Sequence, residues 1–167
     1  TPFNFPAMVP LWFIPFAIVC GNTIVVKPSE QVPLAPERIM ELIAGIDAIP
    51  AGVVNLVHGA HDAVNALLDS PGVDAVSFVG SATVAQYVAS RALATGKRVQ
   101  ALGAAKNSMI VMPDADPELM VKGVSSSAFG GAGQRCLAGS VAVLVGTLML
   151  LIFIGEALRS ALDTRKG

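Results

Sequence analysis

A chain of 167 residues is long enough for one domain with a real core and too short for two comfortable ones. Hydrophobic residues make up 53% and charged residues only 14%, against about 25% charged in an average soluble domain. Most of such a chain expects cover from a larger protein body, a partner subunit or a bilayer, while a formal net charge of -1 favours neither nucleic acid nor an anionic membrane surface.

The opening stretch, residues 1–26, carries no charge and is punctuated by Pro2, Pro6, Pro10 and Pro15, a density that argues against a simple membrane span. A buried helix is predicted over 8–20, ended by Gly21-Asn22. Residues 23–27 (TIVVK) read as a β-branched strand. A helix follows over 36–45, with a proline in its first turn and Ile39, Leu42 and Ile43 on one face. Then come a strand over 53–58, a helix over 61–69, a strand over 74–79 and a helix over 82–95. Strands are predicted over 97–101 and 109–112, a helix over 117–129 and a last strand over 140–145. Short apolar strands separated by helices of about ten residues mark an α/β fold with a parallel sheet covered on both faces and right-handed crossovers.

From Cys136 to Gly155 the chain is uncharged for twenty residues, which meets the length criterion for a transmembrane helix. Ala138-Gly139-Ser140, Gly146 and Thr147 interrupt it, so a buried strand followed by an apolar helix is the preferred expectation. The two cysteines, Cys20 and Cys136, form neither a C-x-x-C nor a zinc spacing, so a reducing compartment is expected rather than a disulfide framework. No basic region precedes the first apolar stretch, so no signal peptide is expected, and a start at Thr1 suggests a piece of something longer. His58 and His61 have no acidic or cysteine cluster beside them and suggest no metal site; His58 is expected to end a strand and His61 to start a helix.

The chemistry concentrates in Phe129-Gly-Gly-Ala-Gly-Gln-Arg-Cys136. Dense glycine lets backbone approach a ligand, and Cys136 is placed to attack it; a buried small hydrophobe is the bland alternative. Before it stand, in order, Thr1-Pro-Phe-Asn-Phe-Pro6, Val26-Lys-Pro-Ser-Glu30, Phe78-Val-Gly-Ser81 and Leu102-Gly-Ala-Ala-Lys-Asn107. From residue 1 to about residue 146 this order resembles the aldehyde dehydrogenase superfamily. The wording GAAKN, VMPDAD and GAGQRC is most similar to its coenzyme A-acylating methylmalonate-semialdehyde branch, whose relatives also process malonate semialdehyde.

The resemblance implies a Rossmann-like parallel sheet, incomplete here, with residues 1–105 as part of an NAD-binding domain. Residues 106–146 would begin the catalytic domain, and 147–167 form a divergent apolar tail. By position, Cys136 matches the nucleophile that yields a thiohemiacetal and then a thioester. Asn4 matches the amide that, with the Cys136 N–H, holds the oxyanion, although an asparagine there could also fix a turn. Lys27 and Glu30 match the pair that holds the adenine-side ribose of NAD, or are an exposed ion pair. Ser81 matches the residue near the pyrophosphate, or is an ordinary helix N-cap. The lack of G-x-G-x-x-G does not weigh against this family, which binds NAD through a different loop.

Alignment of Lys106 places Leu102 where conventional members carry the glutamate that activates water. Leucine cannot take a proton, so hydrolysis loses its base and coenzyme A is the expected acyl acceptor, with loss of the substrate carboxylate as carbon dioxide or bicarbonate. Arg135 suits a substrate carboxylate, or pairs with a structural acid nearby. Three departures stand out: Ser108 where histidine is more usual, Ala104 for a frequent glycine, and the apolar run after Gly146 where the family has a charged loop and an amphipathic helix. The whole family member is implied to be a homo-oligomer of the cytoplasm, or of the mitochondrial matrix in a eukaryote. Members are much longer chains, so residues 1–167 are expected to be an internal piece without activity alone. A mean hydropathy of +0.66 is in keeping with an unsealed apolar face, or with a membrane-associated remnant.

Overall fold

The computed structural model describes residues 1–146 together with Leu151, Ile154, Gly155, Leu158 and Arg159. The tail expected as an apolar helix or a span therefore lies almost wholly outside the described residues. Among the described residues no helix is long and apolar enough to cross a membrane. The order is α1 (Met8–Val19), β1 (Ile24–Val26), α2 (Leu34–Ala44), β2 (Val54–Leu56), α3 (His61–Asp69), β3 (Ala75–Gly80), α4 (Ala82–Ala94), β4 (Arg98–Gly103), β5 (Asn107–Val111), α5 (Pro117–Phe129) and β6 (Gly139–Leu144). Two compact units divide at Ala104 and Ala105.

In the first unit β1 pairs with β2 and β3 with β4; in the second β5 pairs with β6, and every pair is parallel. Each pair encloses its own helix in sequence, α2, α4 or α5, so the chain is three successive β-α-β units. The expected single sheet is thus seen as three two-stranded pairs among the described residues. A local pattern specifies a parallel strand and a crossover, but not which strands become neighbours. Cover on both faces also gives way: along β4 and β5 half-buried and exposed residues alternate for most of the strand, which describes one covered face.

Helix starts follow side-chain chemistry. Ser81 caps α4 by accepting from Val84 N–H at 3.4 Å, and Asp116 caps α5 by accepting from Leu119 N–H at 2.9 Å, with Pro117 next in the first turn. In α2, which begins two residues ahead of the expected start, Pro36 still sits in the first turn, where the amide it lacks has no acceptor.

The core of the first unit is Leu68 of α3 with Val88 and Ala92 of α4, packed against Val76, Phe78 and Val99 of the strands. A polar strap runs beside it. Arg91 donates to both carboxylate oxygens of Asp69 at 2.8 and 2.6 Å and to the Tyr87 hydroxyl at 2.8 Å, and that hydroxyl donates to Asn65 Oδ1 at 2.5 Å. The bond from Arg91 holds the Asp69 carboxyl below its ordinary value. Lys97 is buried, and its ammonium donates to the carbonyls of Ser70 and Val73 at 2.6 and 2.7 Å. Those bonds satisfy a cation that burial alone would make costly.

The first unit ends on Ala104, whose φ of 54° lies in the left-handed region that a β-carbon disfavours by about 1–2 kcal/mol. This is the position where the family resemblance leads one to expect glycine. Ala104→Gly should therefore raise stability by about 1 kcal/mol once the extra freedom of glycine in the unfolded chain is allowed for. Denaturant midpoints measure it, and an unchanged or lowered midpoint would speak against the strained backbone.

Candidate active site

Polar side chains collect just past strand ends in the first unit. β1 stops at Val26 because Pro28 has no N–H for the ladder, and Lys27 turns its ammonium to Glu30 Oε2 at 2.9 Å. The Lys27 side chain is 14% exposed and that of Glu30 57%, so the pair offers its carboxylate to solvent. The Glu30 carboxyl lies below its ordinary value, first through its own backbone N–H and then through the Lys27 ammonium. The sequence allows these two a ribose contact or an ion pair, and the ion pair is formed.

β3 ends at Gly80 and Ser81 opens α4. In register with Gly80 stands Gly103, the end of β4. A β-carbon on Gly103 would lie 2.6 Å from Ala85 Cβ and 2.9 Å from Ala82 Cα, so only glycine lets this strand pass over the first turn of α4. Ser81 caps the helix N-terminus there, where partial positive charge collects. Leu102, one residue earlier, is exposed and in register with Val79. Asn4 lies half-buried in the bend before α1, while Cys20 is exposed at the end of that helix.

The second unit carries Cys136. After α5 the chain makes a tight turn at Gly130–Gly133, in which Gly131, Ala132 and Gly133 take φ of 61°, 54° and 73°. Arg135 folds its side chain over this turn, and a β-carbon on Gly130 would come within 2.7 Å of its Nη1. Ala138 N–H then donates to Arg135 C=O at 3.1 Å, which closes a second turn around half-buried Cys136. Two residues without an assigned role hold it in place. Asn107 Nδ2 donates to the carbonyls of Cys136 at 2.7 Å and Ala138 at 3.0 Å, and Ser127 Oγ accepts from Gly139 N–H at 3.1 Å. Asn107 belongs to a motif already singled out, so its position was legible but its partner was not; Ser127 carries no local signal at all.

The structure thus joins Lys27 to Glu30 and sets Arg135 beside the turn that bears Cys136, while Asn4 and Cys136 belong to different units. His61 does begin α3, but β2 ends at Leu56, so His58 lies beyond the strand it was expected to end. Its Nε2 meets Glu37 at 2.9 Å across from α2, a contact that sequence spacing does not reveal. Among the described residues no group of three or more His, Cys, Asp or Glu could hold a metal ion.

Helix-crossed parallel pairs define an α/β protein, and its sequence contains no G-x-G-x-x-G. Residues 1–150 match the model of the Aldehyde dehydrogenase family. The chain belongs to that family. It is 61% identical over 146 residues to malonate-semialdehyde dehydrogenase 1 of Geobacillus kaustophilus, covering 87% of this chain and 30% of that protein. The crystal structure of methylmalonate-semialdehyde dehydrogenase (DddC) from Oceanimonas doudoroffii superposes with a TM-score of 0.83 at 49% identity, over 95% of this chain and 33% of that one. PnpE in complex with nicotinamide adenine dinucleotide superposes at 0.81 with 37% identity, over 93% of this chain and 33% of that one. The chain therefore spans about a third of the length of the relatives it matches.

The Lys27–Glu30 geometry gives a pH prediction. A depressed carboxyl adds stability that is present above its unfolded value, 4.5, and is lost as pH falls through the folded value. Lys27→Met should move the Glu30 titration upward, though not fully to 4.5, because the backbone N–H remains. Carboxyl NMR through the acidic range reads the upward shift; an unmoved titration would mean that the pair is not formed.

Proposed function

We propose that the whole protein bearing these residues is an NAD-dependent, coenzyme A-acylating dehydrogenase of malonate or methylmalonate semialdehyde. The observation that carries this is the clamped glycine turn that presents Cys136, on a chain 61% identical to a malonate-semialdehyde dehydrogenase. Residues 1–105 are read as part of the NAD-binding domain and 106–146 as the start of the catalytic domain.

The cofactor fits what the first unit offers. Ser81 caps α4 without consuming all its first-turn N–H groups, and the Lys27–Glu30 pair stands past the end of β1. Ser81 and the helix start would take the pyrophosphate, with Lys27 and Glu30 on the ribose hydroxyls. Bound NAD supplies the hydride acceptor. The Cys136 thiolate adds to the aldehyde carbon, and the Asn4 amide and the Cys136 N–H hold the oxygen that becomes negative. Collapse of that thiohemiacetal with loss of hydride leaves a thioester on Cys136. Arg135 would orient the substrate carboxylate through its guanidinium fork.

Leu102 decides the fate of the thioester. An aliphatic side chain has no site for a proton, so water is not activated there, and the thiolate of coenzyme A attacks instead and frees Cys136. The substrate carboxylate leaves as carbon dioxide or, after hydration, bicarbonate. The electron pair of the broken C–C bond passes into the thioester carbonyl as an enolate, which takes a proton from solvent at the α-carbon.

Two outcomes are expected in the full-length protein. Cys136→Ala abolishes aldehyde oxidation while Cys20→Ala leaves it within about twofold; equal loss from both would sink the assignment. Steady-state turnover requires coenzyme A, so chromatography of products should show acyl-coenzyme A, and brisk release of free acid without coenzyme A would refute the acceptor.

A further inference from the structure

We propose that Asn107 is a positioning residue for the nucleophile turn, a role that rests on reading Cys136 as the nucleophile. β5 and β6 run parallel, so the first residue of β5 and the approach to β6 lie at the same end of the pair. There the register slips: Asn107 stands opposite Gly139 and Ser108 opposite Val141, so Ser140 has no counterpart. β5 begins at Asn107, and no residue of it stands opposite the chain before Gly139 to hold the carbonyls of Cys136 and Ala138. The Asn107 side chain takes both, using the two hydrogens of one amide nitrogen. Because carbonyls only accept, the amide has one usable orientation.

The consequence falls on Cys136. Its preceding peptide plane is fixed by the bond from Ala138 N–H to Arg135 C=O, and its following plane is fixed by the bond from Asn107 to its own C=O. The described chain has no cis peptide, so the Cys136 N–H points opposite to Arg135 C=O, away from the interior of the turn. With both planes held, φ and ψ at Cys136 are set, and with them the direction in which the thiol leaves the backbone. The Asn107 side chain thus holds ψ at Cys136 and, together with the turn bond that orients the N–H, sets the Cα–Cβ direction from which the Sγ of the proposed reaction departs.

The test uses the full-length protein with three variants: Asn107→Ala, Asn107→Asp and Asn107→Gln. Each should bind NAD within about twofold of wild type, while kcat for the semialdehyde falls by about 10- to 100-fold, the loss expected from misplacement by about an ångström. Asn107→Gln keeps the donor but moves it by one methylene, and guards against loss of fold in the smaller variant. Asn107→Asp carries a signature that general destabilisation would not produce. Its ionised carboxylate repels the two carbonyls, whereas the protonated acid donates to one, so its activity relative to Asn107→Ala should climb as pH falls. Iodoacetamide labelling of Cys136, read by mass spectrometry, should show the same relative recovery, and it does not depend on which reaction the protein catalyses. Labelling that follows this pattern in a protein without semialdehyde turnover would uphold the clamp while the proposed function fails. Wild-type kcat in folded Asn107→Ala and Asn107→Gln, or parallel pH profiles for the Asp and Ala variants, would overturn the proposal.

Discussion

A parallel strand pair cannot be closed by a tight turn; the chain must cross back before the second strand begins, and this constraint orders the molecule. Each crossing here is one helix, and each helix has to start and stop where its strands allow. Residues after β1 and β3 are consequently placed at C-terminal strand ends, and Lys27 and Ser81 occupy those two positions. That is where open α/β sheets expose backbone and helix starts to a ligand. Cys136 obeys the same constraint from the opposite direction. It lies on the return path into β6, at the N-terminal end of its pair, and so within reach of the first residue of β5.

Much of this was legible in the sequence, and the limits have physical causes. α3 and α5 run over the residues that periodicity and flanking signals indicate, because their ends are written in local chemistry: Ser70-Pro71-Gly72 after one, Asp116-Pro117 before the other. The strands are the expected ones within a residue or two, except that β2 keeps only three of the six residues its apolar run suggested. A ladder is two-sided, so the extent of a strand is set by its partner and not by its own residues. Strand neighbours were illegible for the same reason. So were the burial of Lys97 and the Arg91–Asp69 strap, which join residues 24 and 22 or more positions apart through surfaces that exist only after packing.

The site divides along the same line. Residue types and order pointed to Lys27, Ser81, Arg135 and Cys136, since each belongs to a motif read along the chain. What holds them was legible only where it is also local, as in the Lys27–Glu30 pair. Nothing in the sequence says that Gly139 is closely packed. Only the fold brings the Met109 side chain and the Ser127 hydroxyl to the place where its β-carbon would stand. Low charge has a visible result as well: Phe16, Val19, Leu34, Leu119 and Phe129 are all more than 70% exposed. Apolar area of that kind gains nothing from the packing seen here, at about 25 cal/mol per Å² left in contact with water.

A loop that presents a nucleophile, the role proposed for the turn at Cys136, faces conflicting demands, since the thiol must be accessible while its direction is fixed. An accessible side chain cannot be fixed by packing around its tip. Here the fixing is done through the main chain. Successive left-handed residues at Gly131, Ala132 and Gly133 reverse the path after α5, the turn bond at Arg135 holds one peptide plane, and the Asn107 amide holds the next. Ser127 anchors the exit at Gly139. All four devices act on backbone groups, so none of them needs to touch the sulfur. A glycine-rich approach is then more than room for a ligand: in this chain it lets the backbone fold tightly enough for neighbouring side chains to hold it by its carbonyls.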